Sequence, residues 1–137
     1  MFSLEDYSWL ASPSGWAAWE SLLTSVHGTP SNRMNTHPVL TAGAIASSQG
    51  LSEIQARLLL EQWRIAQGAA KRKFSDPTRW FWTQQLIEQS SDESTADETA
   101  RDFPTDVGVV DGCCGAGADS IAIVSWFTGK WNCPHLS

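Results

Sequence analysis

The sequence predicts a mainly α chain that runs, near its C-terminal end, into the first strand, turn and helix of a Rossmann-like α/β domain. Three observations carry this expectation. Apolar residues recur at helical spacing behind recognisable caps over 13–26, 52–73 and 83–102. The first convincing strand pattern comes only at Val107 to Asp111. A turn carrying Gly112, Gly115 and Gly117 follows that strand directly. The expected division is a helical region over 1–104 and the start of an α/β domain over 105–137.

Each element has a local reason. Ser3 and Asp6 are spaced as a capping box for a short helix reaching Leu10. Ser12 followed by Pro13 is a cap with proline at the first helical position. Trp16, Trp19, Leu22, Leu23 and Val26 then fall on one face. Gly28, Thr29 and Pro30 end that helix, and 28–38 reads as a loop. Val39 to Ser48 is a short helix of small residues, punctuated by Gly50. Ser52 and Gln55 form a second capping box and open the longest helix, about 52–73. Its apolar side carries Ile54, Leu58, Ile65 and Ala69, flanked by Leu59, Trp63 and Ala66. Arg57, Arg64 and Lys71 recur every seven residues and are expected to share another face. Ser75, Asp76 and Pro77 make a turn, and Arg79 to Thr83 is a dense aromatic patch. Thr83 can cap a helix over Gln84 to Gln89. Ser90 with Glu93 is expected to cap a polar helix over 91–102, ended by Phe103 and Pro104. Ile121 to Val124 is ambiguous: β-branched residues favour strand, whereas the glycine turn favours helix, the preferred reading.

Composition narrows the function classes. The 137 residues are 42% hydrophobic, enough for a folded core. Tryptophan occurs at 9, 16, 19, 63, 80, 82, 126 and 131, mostly inside apolar patterns, so core packing explains it better than a base-stacking platform. The net charge of −6 argues against a general nucleic-acid binder. The charge is uneven, however. Six of the nine basic residues lie between Arg57 and Arg79, which leaves open a basic strip that approaches RNA phosphates. Cys113, Cys114 and Cys133, with no secretory leader, predict a reducing cytoplasmic setting. Those cysteines with His135 fit no usual zinc spacing, so no metal is expected. No apolar run approaches the ~20 residues of a membrane span.

The glycine turn holds the chemistry. Glycine lets the chain turn sharply and lets a ligand approach the main chain. Asp111 stands before the first glycine, where it would repel a pyrophosphate but accept a hydrogen bond from an ammonium or hydroxyl. That favours S-adenosylmethionine, which has an amino-acid end and no phosphate.

The stretch VVDGCCGAGADSIAI resembles the first cofactor-binding motif of class I methyltransferases. Its form, Asp-x-Cys-Cys-Gly-x-Gly-x-Asp, is similar to bacterial methyltransferases that carry a THUMP-like domain. The upstream segment KRKFSDPTRWFWTQQLIEQSSDESTADETARDF resembles the same proteins, as does the opening DYSWLASPSGWAAW. The likeness covers about residues 6 to 124 and is most specific over 71–119. It implies that Asp111, Gly112, Cys113, Gly115 and Gly117 line the methionine end of the cofactor, with Asp119 opening the next helix. It also implies that Phe81, Trp82 and Thr83 cover the cofactor, as an aromatic segment does in the more distantly similar trimethylguanosine cap synthases. RNA is the implied substrate class.

Two departures from the family pattern bear on activity. Gly112 and Ala118 stand where these relatives usually have leucine and glycine. No Asp or Glu follows Asp119, whereas an acid about 20 residues after the turn normally holds the ribose. The expectation is the N-terminal part of a truncated methyltransferase domain, without turnover as this chain and with weak or undetectable cofactor binding. The alternatives are a small helical interaction module and a non-functional truncated product.

Overall fold

The computed structural model describes residues 2–27, 40–112 and 115–129. The protein is mainly helical. The helices are α1 (Leu4–Leu10), α2 (Pro13–His27), α3 (Ala42–Gln49), α4 (Glu53–Gln67), α5 (Gln84–Gln89), α6 (Glu93–Arg101) and α7 (Ala118–Thr128). Contacts divide the chain into two compact units, Met1–Arg64 and Ile65–Ser137. The division falls within α4, and the boundary expected at 104/105 lies inside the second unit.

In the first unit the caps form as their chemistry requires. The Ser3 hydroxyl accepts from Asp6 N at 3.2 Å while the Asp6 carboxylate accepts from Ser3 N at 2.7 Å. The Ser12 hydroxyl accepts from Gly15 N at 3.3 Å at the start of α2. The buried stripe of α2 is Gly15, Ala18, Trp19 and Leu22. It is rotated from the expected one, because Trp16, Leu23 and Val26 are only half-buried. Gly15 explains the rotation: a Cβ there would lie 2.4 Å from the carbonyl oxygens of Trp9 and Leu10. The chain turns back so closely that a backbone, not a side chain, packs on this face. Thr41 caps α3, and Gly50 closes it in the left-handed conformation at φ 66°. Residues 28–39, which include Val39, lie outside the described residues.

The longest helix is shorter than expected. The Ser52–Gln55 box opens α4 with bonds of 3.3 and 3.0 Å, but the helix stops at Gln67 rather than near 73. Glycine is a poor helix former, and Gly68 N bonds to Ile65 O, three residues back instead of four. A 3-10 turn at Ala70–Arg72 follows. Lys71 therefore lies outside α4, and the seven-residue basic strip does not exist as one helix surface. Ile54, expected on the apolar side, is 53% exposed, while Ala56, Leu58, Leu59 and Leu60 are buried.

The second unit is built around Ile65, Ala70, Phe74, Trp82 and Ile87. Thr83 caps α5 by accepting from Leu86 N at 3.1 Å. The cap of α6 is Asp92, which accepts from Thr95 N at 2.8 Å, rather than the expected Ser90. Glu93 is drawn elsewhere: its carboxylate accepts from Ser75 N at 2.7 Å and from the Ser75 hydroxyl at 3.0 Å. The helix is not polar all round, since Ala96, Asp97 and Ala100 are buried. Ala96 and Ala100 face α7, whose Ala122 and Ile123 complete a second apolar cluster. The ambiguous segment after Asp119 is thus helical, as the glycine turn favours.

The strand expected at Val107–Asp111 does not form, and no strand occurs among the described residues. A strand needs a neighbour for its N–H and C=O groups, and none lies alongside among the described residues. Val109 packs on the α6–α7 cluster while Val110 is 94% exposed.

Two caps respond to pH with the same sign. The N–H and hydroxyl of Ser3 hold the Asp6 carboxyl below its usual range. Bonds from Thr95, and then from Ser94, do the same to Asp92. Both folded-state values lie below the ordinary 3.8. Their stabilisation is therefore complete above pH 3.8 and is lost as pH falls through the lower folded values. An amide NMR titration from neutral to acid pH is expected to show α1 and α6 fraying at their first turns only below pH 3.8. Asp92→Asn, a neutral cap, removes the α6 response. Fraying of α6 that begins above the ordinary carboxylate value contradicts the assignment.

Candidate functional site

The glycine turn is set by backbone conformation. Gly115 and Gly117 have φ of 50° and 79°, a region that side-chain-bearing residues adopt with strain. Gly117 is the N-cap residue of α7 and supplies no side-chain cap. The turn therefore presents the positive end of an 11-residue helix. Asp111 is exposed, and its carboxylate accepts a hydrogen bond from the Ser120 hydroxyl on the first turn of α7. That bond folds the segment before the turn onto the helix after it. Asp119 is half-buried and accepts from the Ser91 hydroxyl at 3.1 Å, tying α7 to the residues ahead of α6. Gly112 is exposed and lacks a positive φ. Cys113, Cys114, Cys133 and His135 lie outside the described residues. Among those described, no three His, Cys, Asp or Glu residues are grouped to hold a metal.

An aromatic wall stands against this turn. Phe74 lies 4.8 Å from Trp82 and 5.5 Å from Trp80, centroid to centroid, and the two indoles are 5.9 Å apart. Ala116 and Ala118 of the turn pack on this cluster. Between Phe74, Trp80 and Trp82 on one side and Ala118, Ile121 and Ala122 on the other is a cavity of about 10 Å³, room for roughly one water. Trp82 is pinned, since its indole N–H donates to Pro77 O at 2.9 Å.

The structure thus brings the predicted turn and the predicted aromatic segment together, through Trp82 but not through Phe81 or Thr83. Trp82 faces the cavity, whereas Phe81 does not line it and the Thr83 hydroxyl is engaged in capping α5. Phe74 and Trp80 were not singled out from the sequence. A signal for Trp80 was present in the Trp-x-Trp spacing of Trp80 and Trp82, because in extended chain, such as the backbone at Trp80, residues two apart share a side. Phe74 carried no such signal, because a turn separates it from the patch.

No helix among the described residues is long and apolar enough to cross a membrane. Comparison with protein-family models, with curated proteins and with solved structures finds no match.

Proposed function

We propose that Asp111–Gly117 is the cofactor turn of a Rossmann-like, S-adenosylmethionine-dependent methyltransferase domain of the THUMP-like-domain family, acting on RNA, and that this chain is its N-terminal part. The observation that carries the reading is the pair of left-handed glycines, Gly115 and Gly117, at the uncapped entry to α7. An aromatic wall packed on the intervening Ala116 supports it. In this reading Asp111, Gly112, Cys113, Gly115 and Gly117 hold the amino-acid end of the cofactor, Asp119 positions α7, and the aromatic segment that includes Phe81 and Thr83 covers the ligand. Cofactor binding supplies an electrophilic methyl sulfonium; the protein contributes orientation.

Binding to this chain is expected to be weak. The cavity beside the turn has room for about one water, so a ligand must first part the indoles from α7. In a titration followed by amide and indole NMR, S-adenosylmethionine is expected to bind in the roughly millimolar range, about −4 kcal/mol. Perturbations are expected at Asp111, Gly115 to Asp119 and the Trp80 and Trp82 indoles. Asp111→Asn is expected to weaken them. No change at these positions at about ten times that concentration overturns the reading. Low-micromolar affinity contradicts the expected weakness instead. The second reading, a helical interaction module, is favoured by the exposure of Val110 and Val124. It predicts no response to the cofactor at all.

A further inference from the structure

The reading of RNA as substrate leaves open where the chain would touch it, and the basic strip expected for that role is broken at Gln67. A different basic surface lies in the second unit. An open hollow of about 370 Å³ is lined by Lys71, Arg72, Lys73, Ser75 and Ser94, with Phe74, Asp92 and Glu93 completing it. That volume is within the ~300–1,000 Å³ usual for ligand sites. Its charges are not equivalent. The Lys73 ammonium donates to Ile87 O at 2.8 Å and Ser90 O at 2.6 Å, so it is committed to the end of α5. Asp92 is held by the first turn of α6, and Glu93 by Ser75. Lys71 and Arg72 are exposed, and neither forms an ion pair among the described residues. The two cations available to an anion are therefore adjacent, on the rim of the hollow, while both acids already have internal donors.

The hollow also adjoins the aromatic wall. Phe74 and Glu93 line both it and the cavity bounded by Trp80 and Trp82. Trp80 is half-buried, and the exposed Arg79 guanidinium lies 5.9 Å from its ring centroid. A cationic hollow beside a partly exposed indole is the combination that binds single-stranded nucleic acid: backbone charge is met by cations and a base by a ring face.

We propose that Lys71, Arg72, Arg79 and Trp80 form a contact for single-stranded RNA, with a phosphate in the hollow and the neighbouring base on the Arg79–Trp80 surface. The inference rests on the RNA reading above and replaces Arg57 and Arg64 as the residues that serve it. It assigns a binding role only, and no group is transferred.

The test is fluorescence anisotropy of a labelled single-stranded oligoadenylate with the full chain, at several salt concentrations. Lys71→Glu with Arg72→Glu is expected to weaken binding at least about tenfold and to reduce the salt slope by about 1.4. Trp80→Ala is expected to weaken it by roughly 5- to 150-fold, corresponding to ~1–3 kcal/mol per stacked base, with the salt slope unchanged. Trp80→Phe retains part of that binding and guards against loss of fold, as does an unchanged helical circular dichroism spectrum. Arg57→Glu with Arg64→Glu is expected to leave affinity unaltered. Absence of binding by the unmodified chain at low salt overturns the proposal. So does an effect of Arg57 and Arg64 equal to that of Lys71 and Arg72. Equal competition by polyglutamate also overturns it, because the surface is then a general anion patch or a site for acidic peptides. Cofactor titration of the unmodified chain and of the Lys71→Glu, Arg72→Glu variant, which leaves the aromatic wall intact, separates the two proposals. RNA unbound with the cofactor response intact removes only this inference, and the converse removes only the cofactor reading.

Discussion

Trp82→Ala is expected to remove about 3–5 kcal/mol of stability, enough to unfold the second unit if that unit lies at the lower end of the usual ~5–15 kcal/mol. Trp82 is 3% exposed and sits at the centre of the cluster with Ile65, Ala70, Phe74 and Ile87. Truncation removes the largest side chain of that cluster and opens a void that small neighbours such as Ala70 cannot fill. It also removes the indole donor to Pro77 O and leaves a buried carbonyl without that bond. Trp82→Phe separates the two effects, because it keeps most of the apolar volume and loses only the donor. The expected order of stability in urea unfolding is native, then phenylalanine, then alanine, with the phenylalanine variant about 1–3 kcal/mol below native. A loss under about 1 kcal/mol for alanine would mean that Trp82 does not anchor this core.

Ala100→Leu is expected to have the second largest effect, through the opposite failure. Ala100 has no exposed surface, and Ala96 only 2%. These two methyl groups are the α6 members of the apolar cluster with Ala122 and Ile123. Small side chains let two helices approach closely, and a branched four-carbon chain in that seam must push them apart. Overpacking of this kind costs about 1–3 kcal/mol. Because α7 carries the glycine turn at its N-terminus, the displacement should reach Asp119 and weaken its bond to Ser91. Amide exchange is the direct measurement: protection over α7 falls in Ala100→Leu and is unchanged in Glu98→Leu, whose site is exposed. Equal protection in the two variants would show that the seam tolerates bulk.

What could be read from the sequence was local chemistry. The boxes at Ser3–Asp6 and Ser52–Gln55 and the Thr83 cap each join residues three apart, so their spacing alone specifies the bonds. Gly115 and Gly117 belong to the same class, because a positive φ is a property of one residue. What was not legible depends on partners far along the chain. Glu93 was read as capping its own helix but reaches 18 residues back to Ser75. Lys73 was read as part of a basic strip but reaches forward to Ile87 and Ser90. The strand at Val107–Asp111 is the extreme case: its pattern states what a β neighbour would want, and a pattern cannot supply the neighbour. The aromatic wall was read only in part, with Trp82 included and Phe74 and Trp80 left out, for a related reason. Composition marked Arg79 to Thr83 as important, but only the extended backbone at Trp80 decides which rings face Ala116 and Ala118.

The glycines also record which changes this chain could have absorbed. At Gly15 any added carbon meets two carbonyl oxygens at 2.4 Å, so the corner between α1 and α2 admits no other residue without moving backbone. At Gly112 an added carbon meets nothing within 4 Å, and the backbone there is not in the left-handed region. A Cβ at 112 would therefore fit without strain. Room around the Cβ is not what holds glycine there. Gly115 and Gly117 stand apart from this freedom: their left-handed backbone resists replacement, so an exchange there would be paid for in the geometry of the turn itself.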